Sequence, residues 1–339
     1  MNNIEKIENI AKDYIKSKTL LLTHTDLDGI GCHILLKRYF SNVQTLFLNY
    51  NEFDEIINEQ FDEISNANFD FIFITDLSIS KEISKKINEI NSKIIFIDHH
   101  VSSLELKPYF SENLIMTEYK GDLTCGTDLL SIYLEKNCNI KLQSQDIEFI
   151  KLVRGWDTWT WVNDKNGLLS CQLNDLLSIY GRNDFIDHCL NLLSNNLDFP
   201  KYSDIDIALL NYHNSRRSNY IKQCLENIDF ATIKGYTCGI VFADEFTSII
   251  GNRICSTKNG IDIAMIISLK YKTISFRTIK EDINLSNFAK NNFNGGGHRK
   301  AAGSQISIDK IDKITKLLIK PKSKIKDKIK DCLFNLFCE

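Results

Sequence analysis

The sequence lacks the features that mark membrane-bound and exported proteins. No apolar run reaches the roughly 18 residues that a membrane-spanning helix needs. The first 18 residues are charged and contain no apolar core of the kind found in secretory signal peptides. Proline is also scarce, with three in 339 residues, and we attach no function to that bias. We therefore expect a cytoplasmic protein with no membrane partner.

Paired cysteines and an excess of basic charge are absent as well. The ten cysteines form no CxxC pair, which excludes a zinc ribbon and a disulfide scaffold and favours buried, reduced thiols. The net charge is -3, so any polyanionic substrate must be short or be met by local positive charge or metal. With 43% hydrophobic and 25% charged residues, the composition is that of a globular protein, and the length allows two domains.

The first half of the chain alternates short apolar runs with helical segments. This alternation favours an α/β fold with a parallel sheet that helices cover on both faces. Three of the apolar runs end in acidic or histidine-containing residues, at the strand ends where open parallel sheets bind ligands. The predicted strands are 19–23, 44–48, 70–75 and 93–97, and the predicted helices between them are 29–40, 53–65 and 80–91.

The second half predicts further helices and then a return to strands. We expect helices over 124–136, capped near Thr124, and over 145–155, then a polar helical segment from about 190 to 225. The later strands are expected within 231–243, 261–270 and 272–280, with a helix over 245–258, a glycine-rich break and a lysine-rich C-terminal helix. We assign residues 1–190 to a first domain, 191–228 to a helical connector and 229–339 to a smaller second α/β domain.

A group of acidic and histidine side chains follows the predicted strands. His24, Asp26 and Asp28 occupy alternate positions directly after the first strand, so they can converge on one side. Asp76 follows the strand FIFIT, and Asp98-His99-His100 follows KIIFI. Carboxylates combined with imidazoles suit divalent ions such as Mn²⁺ or Mg²⁺. Each piece alone could be a surface turn, but three at successive strand ends indicate one metal site.

These residues carry a family resemblance. HTDLDG, TDLS and DHH, in this order, resemble motifs I to III of the DHH phosphoesterase superfamily, and Asp157 in RGWDTWTW looks like the aspartate of motif IV. GGGHRKAAG at 295–303 is similar to the signature of the associated DHHA1 domain. The RGWDTW context is closest to the oligoribonuclease, or nano-RNase, branch. The resemblance implies a DHH domain that faces a DHHA1-like domain across a cleft.

The resemblance also implies a role for each motif residue. His24, Asp26 and Asp76 would hold one metal ion, and Asp28, Asp76, His99 and Asp157 a second, with Asp76 bridging the two. Asp98 would orient a histidine, and His100 would face the scissile phosphate, which makes His100, Asp98 and Asp76 the catalytic set. The implied cofactors are two Mn²⁺ ions, with Mg²⁺ or Co²⁺ as alternatives. Many family members have a longer gap before the first aspartate than the H-x-D-x-D spacing found here.

A glycine-rich loop and an arginine in the second half are candidate substrate-binding features. Gly295, Gly296 and Gly297 can turn backbone N–H groups toward an anion, and a helix beginning at 300–303 would add its dipole. His298 and Arg299 add side-chain donors. Arg277, in SFRT, resembles the arginine that accompanies this loop in the family and offers a bidentate fork to a phosphate.

Two other features have simpler structural interpretations. Trp156, Trp159 and Trp161 surround Asp157, and either nucleobase stacking or packing of one lobe against the other explains them, with packing between the lobes favoured. Cys32 shows no base partner in the sequence, so we interpret it as a helix-packing residue rather than a nucleophile.

The function implied by the resemblance is hydrolysis of short oligoribonucleotides to 5′-mononucleotides, by a hydroxide that two Mn²⁺ ions activate. Alternative substrates are cyclic dinucleotides and 3′-phosphoadenosine 5′-phosphate, which would use the same metal site. From another class, the chain could be a nucleotide-binding sensor, but that predicts loss of a ligand-type residue, and none is missing. The expected partners are short RNA oligonucleotides or other small nucleotides, and a homodimer is left open.

Overall fold

The computed structural model describes residues 14–49, 52–164, 167–195, 199–257 and 260–306. The chain divides into two compact units, Met1–Asn211 and Tyr212–Glu339, and the boundary falls inside one long helix. No helix in these described ranges has both the length and the apolar composition needed to cross a membrane.

The first unit is built on a five-stranded, fully parallel sheet. The sequence predicted the parallel arrangement and four of the strands, but it did not predict the fifth, Glu112–Ile115. The strand order is β2-β1-β3-β4-β5. From β1 the chain adds β2 on one side of the sheet and then adds β3, β4 and β5 on the other side. The topological switch point therefore lies between β1 and β3, and open α/β sheets bind ligands at such a point. The strands are β1 Lys18–Thr23, β2 Asn42–Phe47, β3 Phe71–Thr75, β4 Lys93–Asp98 and β5 Glu112–Ile115.

Helices cover both faces of this sheet. Because successive strand residues point to opposite faces, Leu20 and Leu22 pack with Phe53 of α2, whereas Leu21 packs with Leu35 of α1. The helices of this unit are α1 Leu27–Tyr39, α2 Phe53–Asn66, α3 Lys81–Ile87, α4 Gly126–Asn137, α5 Ser144–Asp157, α6 Gly167–Tyr180 and α7 Arg182–Asn195. It also contains 3₁₀ helices at Val101–Tyr109 and Thr160–Asn163 and a small hairpin, β6 Glu118–Tyr119 and β7 Asp122–Leu123.

The second unit has a mixed six-stranded sheet. Its order is β12-β13-β11-β10-β9-β8, and β9 and β10 are parallel while the other neighbours are antiparallel. Met265 packs toward α10 and Ile266 toward α9, so the two helices cover opposite faces. The elements are β8 Asp229–Ile233, β9 Tyr236–Phe242, α9 Thr247–Thr257, β10 Ile263–Ser268, β11 Thr273–Arg277, α10 Leu285–Phe293, β12 Gly296–Gly297 and β13 Ala301–Gln305. The helix that links the two units, α8, is Asp204–Glu226.

The structure corrects two local predictions. No helix begins at 300–303, because residues 301–305 form β13, which pairs with β11. Thr124 does not cap α4: its hydroxyl donates to the Met116 carbonyl, and the N-cap residue is Cys125, which makes no side-chain cap hydrogen bond. Within the polar segment from 190 to 225, residues 190–195 and 204–225 are helical and residues 199–203 are not, so the segment is not one helix. The predicted lysine-rich C-terminal helix lies outside the described residues.

Candidate metal centre

The end of β1 places His24 and Asp26 side by side. Asp26 is the N-cap of α1, and its Oδ1 accepts hydrogen bonds from the backbone N–H groups of Asp28 and Gly29 at 3.1 Å each. Its Oδ2 lies 3.0 Å from Nδ1 of His24. The turn requires a glycine at position 29, because a Cβ there would lie 2.2 Å from the carbonyl oxygen of His24.

Asp28 is held by a helix that comes much later in the chain. Its two carboxylate oxygens accept the backbone N–H groups of Gly126 and Thr127, the first residues of α4. These N–H groups have no partner within the helix itself, so the carboxylate satisfies them and also meets the positive end of the helix dipole. Asp28 is only 1% exposed. Sequence reasoning missed Gly126 and Thr127, since nothing local links them to residue 28.

Asp76 directly follows β3 and lies between His24, which follows β1, and His99, which follows β4. Its backbone φ is 52°, a left-handed conformation that is uncommon for residues other than glycine, asparagine and aspartate. Its Oδ1 lies 3.4 Å from Nε2 of His99, and its Oδ2 lies 3.7 Å from Nδ1 of His24. One buried carboxylate therefore faces both imidazoles, one with each oxygen.

The end of β4 supplies the remaining groups, which converge with the end of α5. Nε2 of His99 lies 3.6 Å from Oδ2 of Asp157 and 3.8 Å from Oδ2 of Asp28. Asp98 is fully buried, and its Oδ1 contacts the backbone N–H of His99 at 2.9 Å and Nδ1 of His100 at 2.8 Å. Asp98 therefore orients the His100 ring.

The structure thus brings the six predicted ligands together in two groups. One comprises His24, Asp26 and Asp76, and the other Asp28, His99 and Asp157, with Asp76 in reach of His99 as well. Around an octahedral ion with ligand distances of about 2.1 Å, neighbouring ligand atoms lie about 3.0 Å apart and opposite ones about 4.2 Å apart. The distances of 3.0 to 3.8 Å found here fall within that range.

The electrostatics of the groups also fit divalent cations. Within the described residues, the ion pairs of these aspartates are all with histidines. Burial raises the pKa of Asp76 well above its usual value, and the charges of Asp26, Asp28 and Asp157 raise it further. A divalent ion would offset this crowding of negative charge.

The pKa values of the surrounding groups report the same crowding. Burial raises the pKa of Asp157 to about 7, against the opposing effect of His99 and with a further rise from Asp28. Burial alone would lower the pKa of His99, but the charges of Asp157 and Asp28 raise it above its usual value. The donor set, carboxylate oxygen with imidazole nitrogen, suits Mn²⁺ or Mg²⁺.

Comparison with known proteins identifies the family. Residues 18–151 match the model described as "DHH family, N-terminal domain". The oligoribonuclease NrnB of Bacillus subtilis is 30% identical over 296 residues, which cover 85% of this chain and 72% of the relative. The chain belongs to the DHH family. It is accordingly a hydrolase of phosphoester bonds, and its region of similarity to NrnB extends well beyond the DHH domain.

Other relatives of this DHH-family chain include a 3′,5′-cyclic-nucleotide phosphodiesterase of Helicobacter pylori. It is 23% identical, with 84% of this chain and 92% of the relative covered. Among solved structures, a DHH-domain protein described as a member of the s1p family of ribosomal proteins matches with a TM-score of 0.64 at 12% identity, over 95% of this chain and 93% of that chain. RecJ of Thermus thermophilus in complex with Mn²⁺ matches with a TM-score of 0.57 at 14% identity, over 91% of this chain and 52% of that one. These two structures share the fold.

The residues predicted to bind substrate all lie in the second unit. Gly296 and Gly297 form β12 and pair with β13, and Gly295 allows a close approach, since a Cβ there would lie 2.1 Å from the Gly303 carbonyl oxygen. The backbone N–H of His298 donates to the Ala301 carbonyl at 2.7 Å, which closes the hairpin. Residues 296–299 are exposed, and Arg299 donates to the Glu281 carbonyl. Arg277 is the last residue of β11.

The tryptophans around Asp157 form a cluster. The ring centroids of Trp156, Trp159 and Trp161 lie 5.4 to 5.8 Å apart, and Trp156 and Trp161 are stacked. Their rings contact one another at the helix end that carries Asp157, and the choice between nucleobase stacking and packing between the lobes stays a prediction. Cys32 is fully buried, and burial raises the pKa of its thiol well above the usual value, so its interpretation as a packing residue is confirmed.

Replacing Gly126 with alanine is expected to weaken metal binding about tenfold, a typical cost of disturbing groups that orient ligands. The new Cβ would lie 2.9 Å from Oδ2 of Asp28 and 3.0 Å from Cβ of Asp76, so both ligands must shift. Titration of activity with Mn²⁺ measures the change. Glu135→Ala, an exposed position on the same helix, is the control. Equal Mn²⁺ affinity in Gly126→Ala and the wild type would contradict this role of Gly126.

Proposed function

We propose that this DHH-family enzyme hydrolyses short oligoribonucleotides to 5′-mononucleotides and that it uses two Mn²⁺ ions. The observation that carries the proposal is the pair of ligand groups on either side of Asp76. His24, Asp26 and Asp76 would hold one ion, and Asp28, Asp76, His99 and Asp157 the other. Two such ions, when bound, would lower the pKa of a water that acts as the nucleophile and would neutralise negative charge on the phosphate.

Residues of the chain itself orient the reacting groups. The Asp98 carboxylate holds Nδ1 of His100 at 2.8 Å, which directs Nε2 of that ring away from Asp98. We assign Nε2 of His100 to the scissile phosphate, where the ring, when protonated on both nitrogens, would donate one hydrogen bond to Asp98 and one to a phosphate oxygen. Because Asp98 is completely buried, it sets the ring orientation before substrate binds.

The second unit supplies the candidate substrate-binding groups, and we propose that it is a DHHA1-like domain. Its exposed hairpin, residues 296–299, carries His298 and Arg299, and Arg277 adds a guanidinium on the neighbouring strand. A net charge of -3 suits a substrate of a few nucleotides better than a long strand, because long strands are held by many basic contacts. The similarity to NrnB over 85% of this chain supports the same substrate class.

A cyclic-nucleotide substrate is the second candidate, because the H. pylori relative is named as a 3′,5′-cyclic-nucleotide phosphodiesterase. A 3′-phosphoadenosine 5′-phosphate phosphatase would use the same metal groups. A nucleotide sensor without activity is disfavoured, since every ligand-type side chain is present and all six lie in the two groups.

A substrate panel with Mn²⁺ tests the proposal. We expect pApA and a pentaribonucleotide to be cut to 5′-AMP with a kcat/KM at least about tenfold above that of a cyclic dinucleotide, a 3′,5′-cyclic mononucleotide, 3′-phosphoadenosine 5′-phosphate or a 40-nucleotide strand. The reason is that a protein of net charge -3 offers a long strand few of the basic contacts that hold it. Faster turnover of a cyclic nucleotide or of the bisphosphate would replace the proposed substrate. No turnover of any of them would overturn the proposed function.

A further inference from the structure

Arg277 lies against one face of α9, and that face is made of small residues. Because successive strand residues alternate, Phe276 points into the core beside α10 and Arg277 points to the opposite face of the sheet. On α9, Ser248, Gly251 and Cys255 follow the i, i+3, i+7 spacing that places side chains in one stripe. Ser248 and Gly251 approach the arginine side chain, and the Cys255 thiol donates to the Arg277 carbonyl at 3.3 Å.

Neutral oxygen atoms hold the guanidinium in place. Nη2 of Arg277 donates to Oγ of Ser248 at 2.7 Å, and Nη1 donates to the Phe276 carbonyl at 2.8 Å. Within the described residues, Arg277 forms no ion pair with a carboxylate. Burial lowers its pKa to about 10, so it stays charged at neutral pH. A partly buried cation without an anionic partner is costly, and a bound anion would offset that cost.

The space around Arg277 exists because its neighbours are small. A Cβ on Gly251 would lie 2.6 Å from Cγ and 2.9 Å from Cβ of Arg277, so a larger residue would displace the arginine. Its strand neighbours on both sides are alanines, Ala264 on β10 and Ala301 on β13. The guanidinium carries more N–H donors than its two hydrogen bonds use, so a fork remains available for a phosphate.

We propose that Ser248 and Gly251 are positioning residues that hold the Arg277 guanidinium in the orientation in which it binds a phosphate of the substrate. Ser248 fixes one terminal nitrogen, and Gly251 leaves the room in which the arginine stem crosses α9. Neither residue touches the substrate. The inference rests on the proposed function, in which Arg277 is a phosphate ligand.

Steady-state kinetics on pApA with Mn²⁺ provide the first test. In Ser248→Ala and in Gly251→Ala, KM is expected to rise about five- to tenfold while kcat stays within about twofold, because a misplaced binding group weakens uniform binding. Ser248→Thr keeps the hydroxyl and should restore a KM close to that of the wild type. Ser256→Ala, at an exposed position on the same helix, is the matched control and should leave both constants unchanged. Equal KM values in Ser248→Ala and Ser256→Ala would overturn the inference.

A second test needs no substrate. The rate at which phenylglyoxal modifies Arg277, measured by peptide mass spectrometry, reports how firmly the guanidinium is held. We expect this rate to rise at least about threefold in Ser248→Ala and Gly251→Ala and to stay unchanged in Ser256→Ala. If the wild type turned over no nucleotide, the proposed function would fail. The modification rate of Arg277 would still test whether Ser248 and Gly251 position the guanidinium. Equal rates in Ser248→Ala and the wild type would refute it.

Discussion

Replacing Asp76 with asparagine is expected to lower kcat/KM by at least about 10³-fold, because the side chain keeps its shape and loses the charge that both ligand groups share. Asparagine is the right substitution for this position. The backbone φ is 52°, and asparagine adopts this conformation nearly as readily as aspartate, so the fold should be retained. Steady-state kinetics on pApA with Mn²⁺ measure the loss, and the melting temperature in EDTA checks the fold.

Two further variants distinguish the loss of the Asp76 charge from a loss of structure. Asp62→Asn, at an exposed position on α2, makes the same chemical change far from the two groups and should leave activity unchanged. Asp76→Ala should also abolish activity, with an additional loss of stability because alanine is strained at positive φ. An Asp76→Asn enzyme that kept most of its activity would show that Asp76 does not bridge two ions.

Removing metal with EDTA should abolish turnover, and Mn²⁺ should restore it. Binding should also stabilise the fold, since a ligand at 100 times its dissociation constant adds about 2.7 kcal/mol. For a unit of this size, that corresponds to a rise in melting temperature of about 5–10 °C. The physical reason is that the neighbouring carboxylates of Asp28, Asp76 and Asp157 repel one another without a cation. Differential scanning calorimetry with and without Mn²⁺ measures the shift.

Asp76→Asn also serves as the control for the metal experiment. Its melting temperature should respond far less to Mn²⁺ than that of the wild type, while Asp62→Asn should respond fully. Parallel titrations with Mg²⁺ and Co²⁺ rank the ions by the turnover that each supports. If turnover persisted in EDTA and the melting temperature did not change with Mn²⁺, the two-metal proposal would be wrong. The family assignment would still hold.

The sequence by itself was sufficient for four of the five strands in the parallel sheet of the first unit and for the identity of the clustered side chains. Buried parallel strands appear as short continuous apolar runs, and residues that directly follow such a strand must lie at its carboxyl end. His24, Asp76 and His99 each follow a strand, so their convergence required only that the strands be neighbours. Asp157, at the end of a helix, was placed by its motif rather than by its periodicity.

Only the tertiary structure decided how these side chains are held, because the contacts join residues far apart in the chain. The carboxylate of Asp28, a candidate metal ligand, accepts the backbone N–H groups of Gly126 and Thr127 at the start of a distant helix. Residues 301–305 became a strand because β11 offered a free edge, which no local propensity reveals. Strand ends and ligand types can be read from the local sequence, whereas helix caps, strand partners and the contacts of Arg277 depend on surfaces that meet only after folding.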